Sequence, residues 1–131
     1  MDRLFLDANV LFSAAYKVDA RLLPLWKLRH LTLCSSRYAL QEARINLAGE
    51  DQWTRLAELS GSLQLFEAGS MPLPSGILLP EKDVPILAAA IEARATHLLT
   101  GDVCHFRAYF GKKIEGIAIM RPGEYLRNRK A

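Results

Sequence analysis

The chain has 131 residues, 50% of them hydrophobic and 24% charged, with a mean hydropathy of +0.05. That length supports one domain spanning 1–131 that buries roughly two thirds of its unfolded surface, and no apolar run is long enough to cross a bilayer. Seventeen basic residues against 14 acidic leave a net charge of +3, which permits a polyanionic partner without requiring one.

The chain opens directly in strand-like sequence, Arg3 to Leu6, so no secretory leader is expected and a cytoplasmic location is. A helix is predicted over Asn9–Lys17, a polar break over Val18–Arg21, and a helix over Leu22–Arg29 with Pro24 in its first turn. Leu31–Cys34 reads as a second strand, with Ser35 and Ser36 as N-cap candidates for a helix over Arg37–Leu47. A helix over Asp51–Leu59 and a strand over Leu63–Phe66 come next. Glu67–Lys82 holds three prolines and two glycines and reads as a long loop, of a length that tends to be functional or mobile. Val84–Ala95 is the strongest helix, apolar nearly all round and therefore buried on more than one side. Thr96–Thr100 is a fourth strand, Val103–Tyr109 a short helix, Ile114–Met120 holds a fifth strand, and Pro122 opens a final helical turn. Strands alternating with helices predict an α/β fold: a three-layer α/β/α sandwich around a parallel sheet of about five strands.

Four carboxylates fall where this topology concentrates ligands, at the carboxyl ends of strands. Asp7 ends the first strand, Asp102 the fourth, Asp83 begins the buried helix, and Glu42 lies within the third helix beside Tyr38 and Ile45. Each has a structural alternative: Asp7, Asp83 and Asp102 are also good helix caps, and Glu42 is also a surface residue. Their conjunction is more informative, because carboxylates ~4 Å apart repel by about 4 kcal/mol per pair at an effective dielectric of 20. Such a cluster calls for a cation or a proton, and hard oxygen donors suit Mg²⁺ or Mn²⁺.

Leu6-Asp7-Ala8-Asn9, Glu42, Asp83-Val84-Pro85-Ile86-Leu87-Ala88-Ala89-Ala90 and Leu99-Thr100-Gly101-Asp102 with His105-Phe106 together resemble a PIN-domain nuclease across essentially the whole chain. The resemblance implies a metal-dependent ribonuclease acting on RNA. Small single-domain members are VapC-type toxins held by a protein antitoxin and usually homodimeric. It carries the family's acids onto Asp7, Glu42, Asp83 and Asp102 as ligands of Mg²⁺ or Mn²⁺, with Asp7 and Asp102 as the direct ones. Thr100 then offers a hydroxyl to water or phosphate. Asn9 matches a polar position beside the metal, and Arg37, Lys82 and Arg107 flank the acids as phosphate-holding candidates. One departure is visible: many members have another acid shortly after the fourth, where this chain has Val103, Cys104 and His105.

Other groups read as structural. His105, beside Phe106, is expected to pack or face solvent, as are His30 and His97. Cys34 and Cys104 fit no metal-ligand spacing and are expected to be reduced, mostly buried thiols. Trp26 and Trp53 are expected as core or interface anchors. Arg127, Arg129 and Lys130 form a basic end that reads first as solvated. A dehalogenase-type phosphatase needs a second Asp where Asn9 stands, a receiver domain lacks its acidic pair, and a dinucleotide fold lacks its glycine-rich turn. The competing non-enzyme reading is a catalytically silent PIN fold that binds RNA or serves assembly.

Overall fold

The computed structural model describes residues 1–69, 72–102 and 104–129. Strand β1 (Asp2–Leu6) carries Leu4, Phe5 and Leu6, all fully buried. A continuous apolar run of this kind marks a strand covered on both faces. β1 pairs in parallel with β2 (Leu31–Ser36) on one side and β4 (His97–Leu99) on the other. With β3 (Gln64–Phe66), β5 (Lys113–Ile114) and β6 (Ile117–Met120), the sheet order is β3-β2-β1-β4-β6-β5.

The sheet grows outward from β1 in one direction through β2 and β3, then returns to the other side of β1 with β4. Right-handed crossovers therefore put α1 (Ala8–Ala15), α2 (Arg37–Asn46) and α3 (Glu50–Ser60) on one face and α4 (Val84–Glu92) on the other. The α/β sandwich read from the sequence is the fold observed. The reversal falls between β1 and β4, and the carboxyl ends of strands at such a switch point form the natural ligand crevice.

Several elements differ from expectation. Leu23–Lys27 is a 3₁₀ turn, not an α-helix over Leu22–Arg29. It has no side-chain cap and closes through Leu25 N–H to Leu22 O and Leu28 N–H to Leu25 O. α4 stops at Glu92 because Arg94 adopts φ 54°. Ala95 N–H then bonds Ala90 O and Arg94 N–H bonds Ile91 O, the double closure that ends many helices. The single fifth strand is a hairpin, β5 antiparallel to β6, turned by Glu115 and Gly116 at φ 51° and 79°. Positive φ at both positions matches the twist of a two-residue hairpin. Among the described residues the sheet thus has six strands rather than about five, with an antiparallel edge. In the predicted Val103–Tyr109 helix, Val103 lies outside the described residues, residues 104–106 form a turn, and only Arg107–Tyr109 is helical, as 3₁₀. The chain's last described element, α5 (Pro122–Arg129), is longer than a single turn.

Other expectations concern packing. Trp26 donates its indole N–H to Leu59 O and Trp53 to Arg44 O, both part-buried. Cys34 is buried, but Cys104 is exposed, so only one thiol is sequestered. Among the described residues, no helix is long and apolar enough to cross a membrane.

Ser36 caps α2 by accepting from Ala39 N–H at 3.1 Å, while Ser35 Oγ donates to Leu6 O at 2.8 Å. The first hydroxyl fixes the step from β2 into α2, and the second ties the carboxyl ends of β1 and β2 to each other. Replacing Ser36 with Ala removes the cap and is expected to lower unfolding free energy by about 1 kcal/mol in a urea titration.

Candidate metal centre

The register Leu4↔His97, Phe5↔Leu98, Leu6↔Leu99 brings Asp7 level with Thr100 at the sheet's carboxyl edge. Asp7 N–H continues the ladder to Leu99 O at 3.1 Å. Asp7 is 4% exposed and Thr100 fully buried. Thr100 Oγ1 donates to Asp7 Oδ2 at 2.8 Å and accepts from Asp102 N–H at 3.0 Å. One hydroxyl therefore fixes the first carboxylate and the backbone of the last. Asn9 closes the frame, its Oδ1 accepting from Gly101 N–H at 2.8 Å and its Nδ2 donating to Thr100 Oγ1 at 3.3 Å. Asp7 Oδ1 accepts from Ala8 N–H at 2.6 Å, so Asp7 caps α1 with one oxygen and meets Thr100 with the other.

Asp83 arrives from the opposite layer. It precedes α4, is 5% exposed, and makes no capping hydrogen bond, so the cap alternative is not realised. Its Oδ2 lies 2.7 Å from His105 Nδ1, and Asp102 Oδ2 lies 2.6 Å from the same nitrogen. Neither approach is aligned for a hydrogen bond: Asp83 Oδ2 and His105 Nδ1 are both buried atoms without a hydrogen-bond partner among the described residues. Asp83, Asp102 and His105 each point one donor atom into a region where all three lie within 4.8 Å of one another. Two carboxylates and an imidazole with donor atoms this close, now in ion-pair contact with one another, make a donor set that fits a divalent cation.

The cavity beside them holds about 410 Å³ and is lined by Asp7, Asn9, Glu42, Lys82, Asp83 and Asp102, with Phe12, Tyr38 and Ile86 as apolar walls. Negative charge accumulates here. Burial, reinforced by Asp83 and Asp102, pushes the Asp7 carboxyl up to about 6 against hydrogen bonds from Thr100 and Ala8 that favour ionisation. Burial also raises Asp83, with Asp102 adding and His105 and Lys82 opposing. The Tyr38 phenol is raised by burial, then by Glu42 and Asp83.

The structure places the sequence-predicted residues unequally. Asp7, Glu42, Asp83, Asp102, Asn9 and Lys82 share the cavity. Asp7 and Glu42 do not join the tightest donor group, whose third member is His105. The expectation that His105 is merely packing or surface is corrected: its ring enters the site. The available signal was its i+3 spacing from Asp102, which one turn of chain brings together through His105 N–H to Asp102 Oδ1 at 3.0 Å. Thr100 is too buried to offer its hydroxyl to phosphate and positions Asp7 instead. Arg37 pairs with Glu67 at 2.7 Å and lines a separate groove between α2 and α3, and exposed Arg107 does not line the cavity. Ile45, expected beside Glu42 as an apolar neighbour, is 69% exposed.

A chain in the crystal structure of VapBC2 from Rickettsia felis bound to a DNA fragment from their promoter is similar at a TM-score of 0.64 and 16% identity, covering 91% of this chain and 98% of that one. At that identity the likeness is one of fold. No family model and no curated protein matches the sequence.

The Asp7 shift makes stability pH-dependent in a definite direction. Its folded pKa of about 6 exceeds the ordinary 3.8, so the folded state holds the proton more tightly than the unfolded one. The resulting stabilisation is complete below about pH 4 and lost as pH rises through about 6, a span of about 3 kcal/mol. Without divalent ions, unfolding free energy from denaturant titrations should carry this loss between about pH 4 and 7. Asp7→Asn, which keeps an oxygen for Ala8 N–H, should remove most of that slope.

Proposed function

We propose that the protein is a metal-dependent ribonuclease and the toxin member of a toxin–antitoxin pair. The observation that carries this reading is the convergence of buried Asp7 and Asp83 with Asp102 and Glu42 on one cavity at the sheet's switch point. A silent RNA-binding or assembly module gains nothing from so many mutually repelling carboxylates.

Asp83, Asp102 and His105 would hold the cation, with Asp7 and Glu42 beside it. Bound there, Mg²⁺ or Mn²⁺ supplies charge neutralisation for a phosphodiester and lowers the pKa of a coordinated water. The chain's own groups supply the rest. Asp7, held in place by Thr100 Oγ1 and Ala8 N–H, would accept the proton of the attacking water in its ionised form. Glu42, on the cavity wall, orients that water. Lys82 places a cation at the cavity for a phosphate oxygen, and Tyr38 holds the Lys82 backbone by donating to its carbonyl at 2.9 Å. Phosphate contacts of this kind bind RNA without reading its sequence.

The partner part of the proposal draws on the fold neighbour, which belongs to a complex named VapBC2. By that analogy a protein antitoxin binds this chain; a homodimer and a cytoplasmic location are what the PIN-domain resemblance implies.

Purified protein incubated with structured RNA and Mn²⁺ should cleave it, and chelation should abolish cleavage. Asp102→Asn should lower the rate by on the order of 100-fold or more, as loss of a site carboxylate does. Equal cleavage by Asp102→Asn would show that the nuclease activity lies elsewhere. Expression in a bacterial host should arrest growth with the parent and not with Asp102→Asn, and co-expression of a small protein encoded beside it should relieve the arrest.

A further inference from the structure

His105 is the one member of the converging group that acidic chemistry does not explain. Its Nδ1 sits between two carboxylate oxygens at 2.6 and 2.7 Å and hydrogen-bonds to neither. Asp83, whose Oδ2 is buried and unpartnered, faces it from α4's side of the sheet. The backbone holds the ring there. His105 N–H is bonded to Asp102 Oδ1, Phe106 N–H to Asp102 O at 3.3 Å, and the Phe106 ring is fully buried. The protein's other histidines show the contrast. His97 Nδ1 is satisfied by Thr96 Oγ1 at 2.8 Å, and His30 sits in a turn at φ 62°.

We infer that His105 is a metal ligand, and that Asp83, Asp102 and His105 make a mixed oxygen–nitrogen site that selects Mn²⁺ over Mg²⁺. This rests on reading the cavity as a divalent-cation site. Mg²⁺ demands near-octahedral oxygen coordination, dehydrates reluctantly and keeps most of its waters. Imidazole is instead a transition-metal ligand; Mn²⁺ binds it more weakly than Fe²⁺ or Zn²⁺ do, but among these ions it shares the preference of Mg²⁺ for carboxylates. The nitrogen stands where a further carboxylate would have strengthened a hard, all-oxygen set. Its presence removes one negative charge from the cluster and offers a donor that Mg²⁺ uses poorly. The carboxylates hold either ion, and His105 tells them apart.

The test uses the whole chain without a partner. Calorimetric titration should give Mn²⁺ an affinity at least about tenfold above that for Mg²⁺. Pulsed electron paramagnetic resonance of the bound Mn²⁺ in the unmodified protein should show coupling to a coordinated imidazole nitrogen, independent of how any variant folds. His105→Gln should lose that coupling and weaken Mn²⁺ by about 10–100-fold while changing Mg²⁺ little. His105→Asp should raise Mg²⁺ affinity and shrink the ratio between the ions. Mn²⁺ binding with no nitrogen coupling and no change in His105→Gln would overturn the inference and leave the nuclease reading standing on the carboxylates. No binding of either ion would overturn both.

Discussion

The pairing of Leu6 with Leu99 across β1 and β4 is the contact on which the site depends. It puts the residues after two strands, far apart in sequence, side by side at one edge. Asp7 then meets Thr100, and Thr100 in turn holds the Asp102 backbone. A slip of one residue would send these side chains to opposite faces. Asp7 N–H to Leu99 O, Thr96 N–H to Arg3 O and the Thr100–Asp7 hydrogen bond hold the register. The register of the central strand is therefore part of the site.

The same burial creates the electrostatic tension. Asp7 and Asp83 are almost fully enclosed, and their neighbours are carboxylates. Thr100, Ala8 N–H and Asn9 offset only part of the desolvation cost of Asp7. The remainder is held by the fold as a whole, whose core supports an arrangement that the site alone would not favour. A cation bound there would relieve that tension and so tie binding to stability.

Helix termini complicate this picture in an instructive way. Asp7 and Asp83 stand at similar places, just before helices. Asp7 caps its helix and keeps a second oxygen for Thr100. Asp83 makes no cap bond at all, because it comes out of a 3₁₀ turn at φ −94°, ψ −13°, already helical rather than extended. Capping geometry needs an extended backbone at the cap residue, so the oxygens of Asp83 stay available to the cavity.

Periodicity and composition by themselves determined the alternation of strands and helices, the buried β1 and α4, the Ser36 cap, and the four acids as a set. These arise from local chemistry: apolar spacing, capping side chains and turn residues. Tertiary structure alone decided the membership and geometry of the site. It brought His105 inward through a turn anchored on Asp102, buried Thr100 as a support, and drew Arg37 away to Glu67. It also left Ile45 in solvent. The physical reason is common to all of these. Whether a side chain faces a cavity, a neighbour or water depends on strand register and layer packing, and those arise between residues far apart in the chain, such as Asp7 and Thr100, rather than within any one stretch.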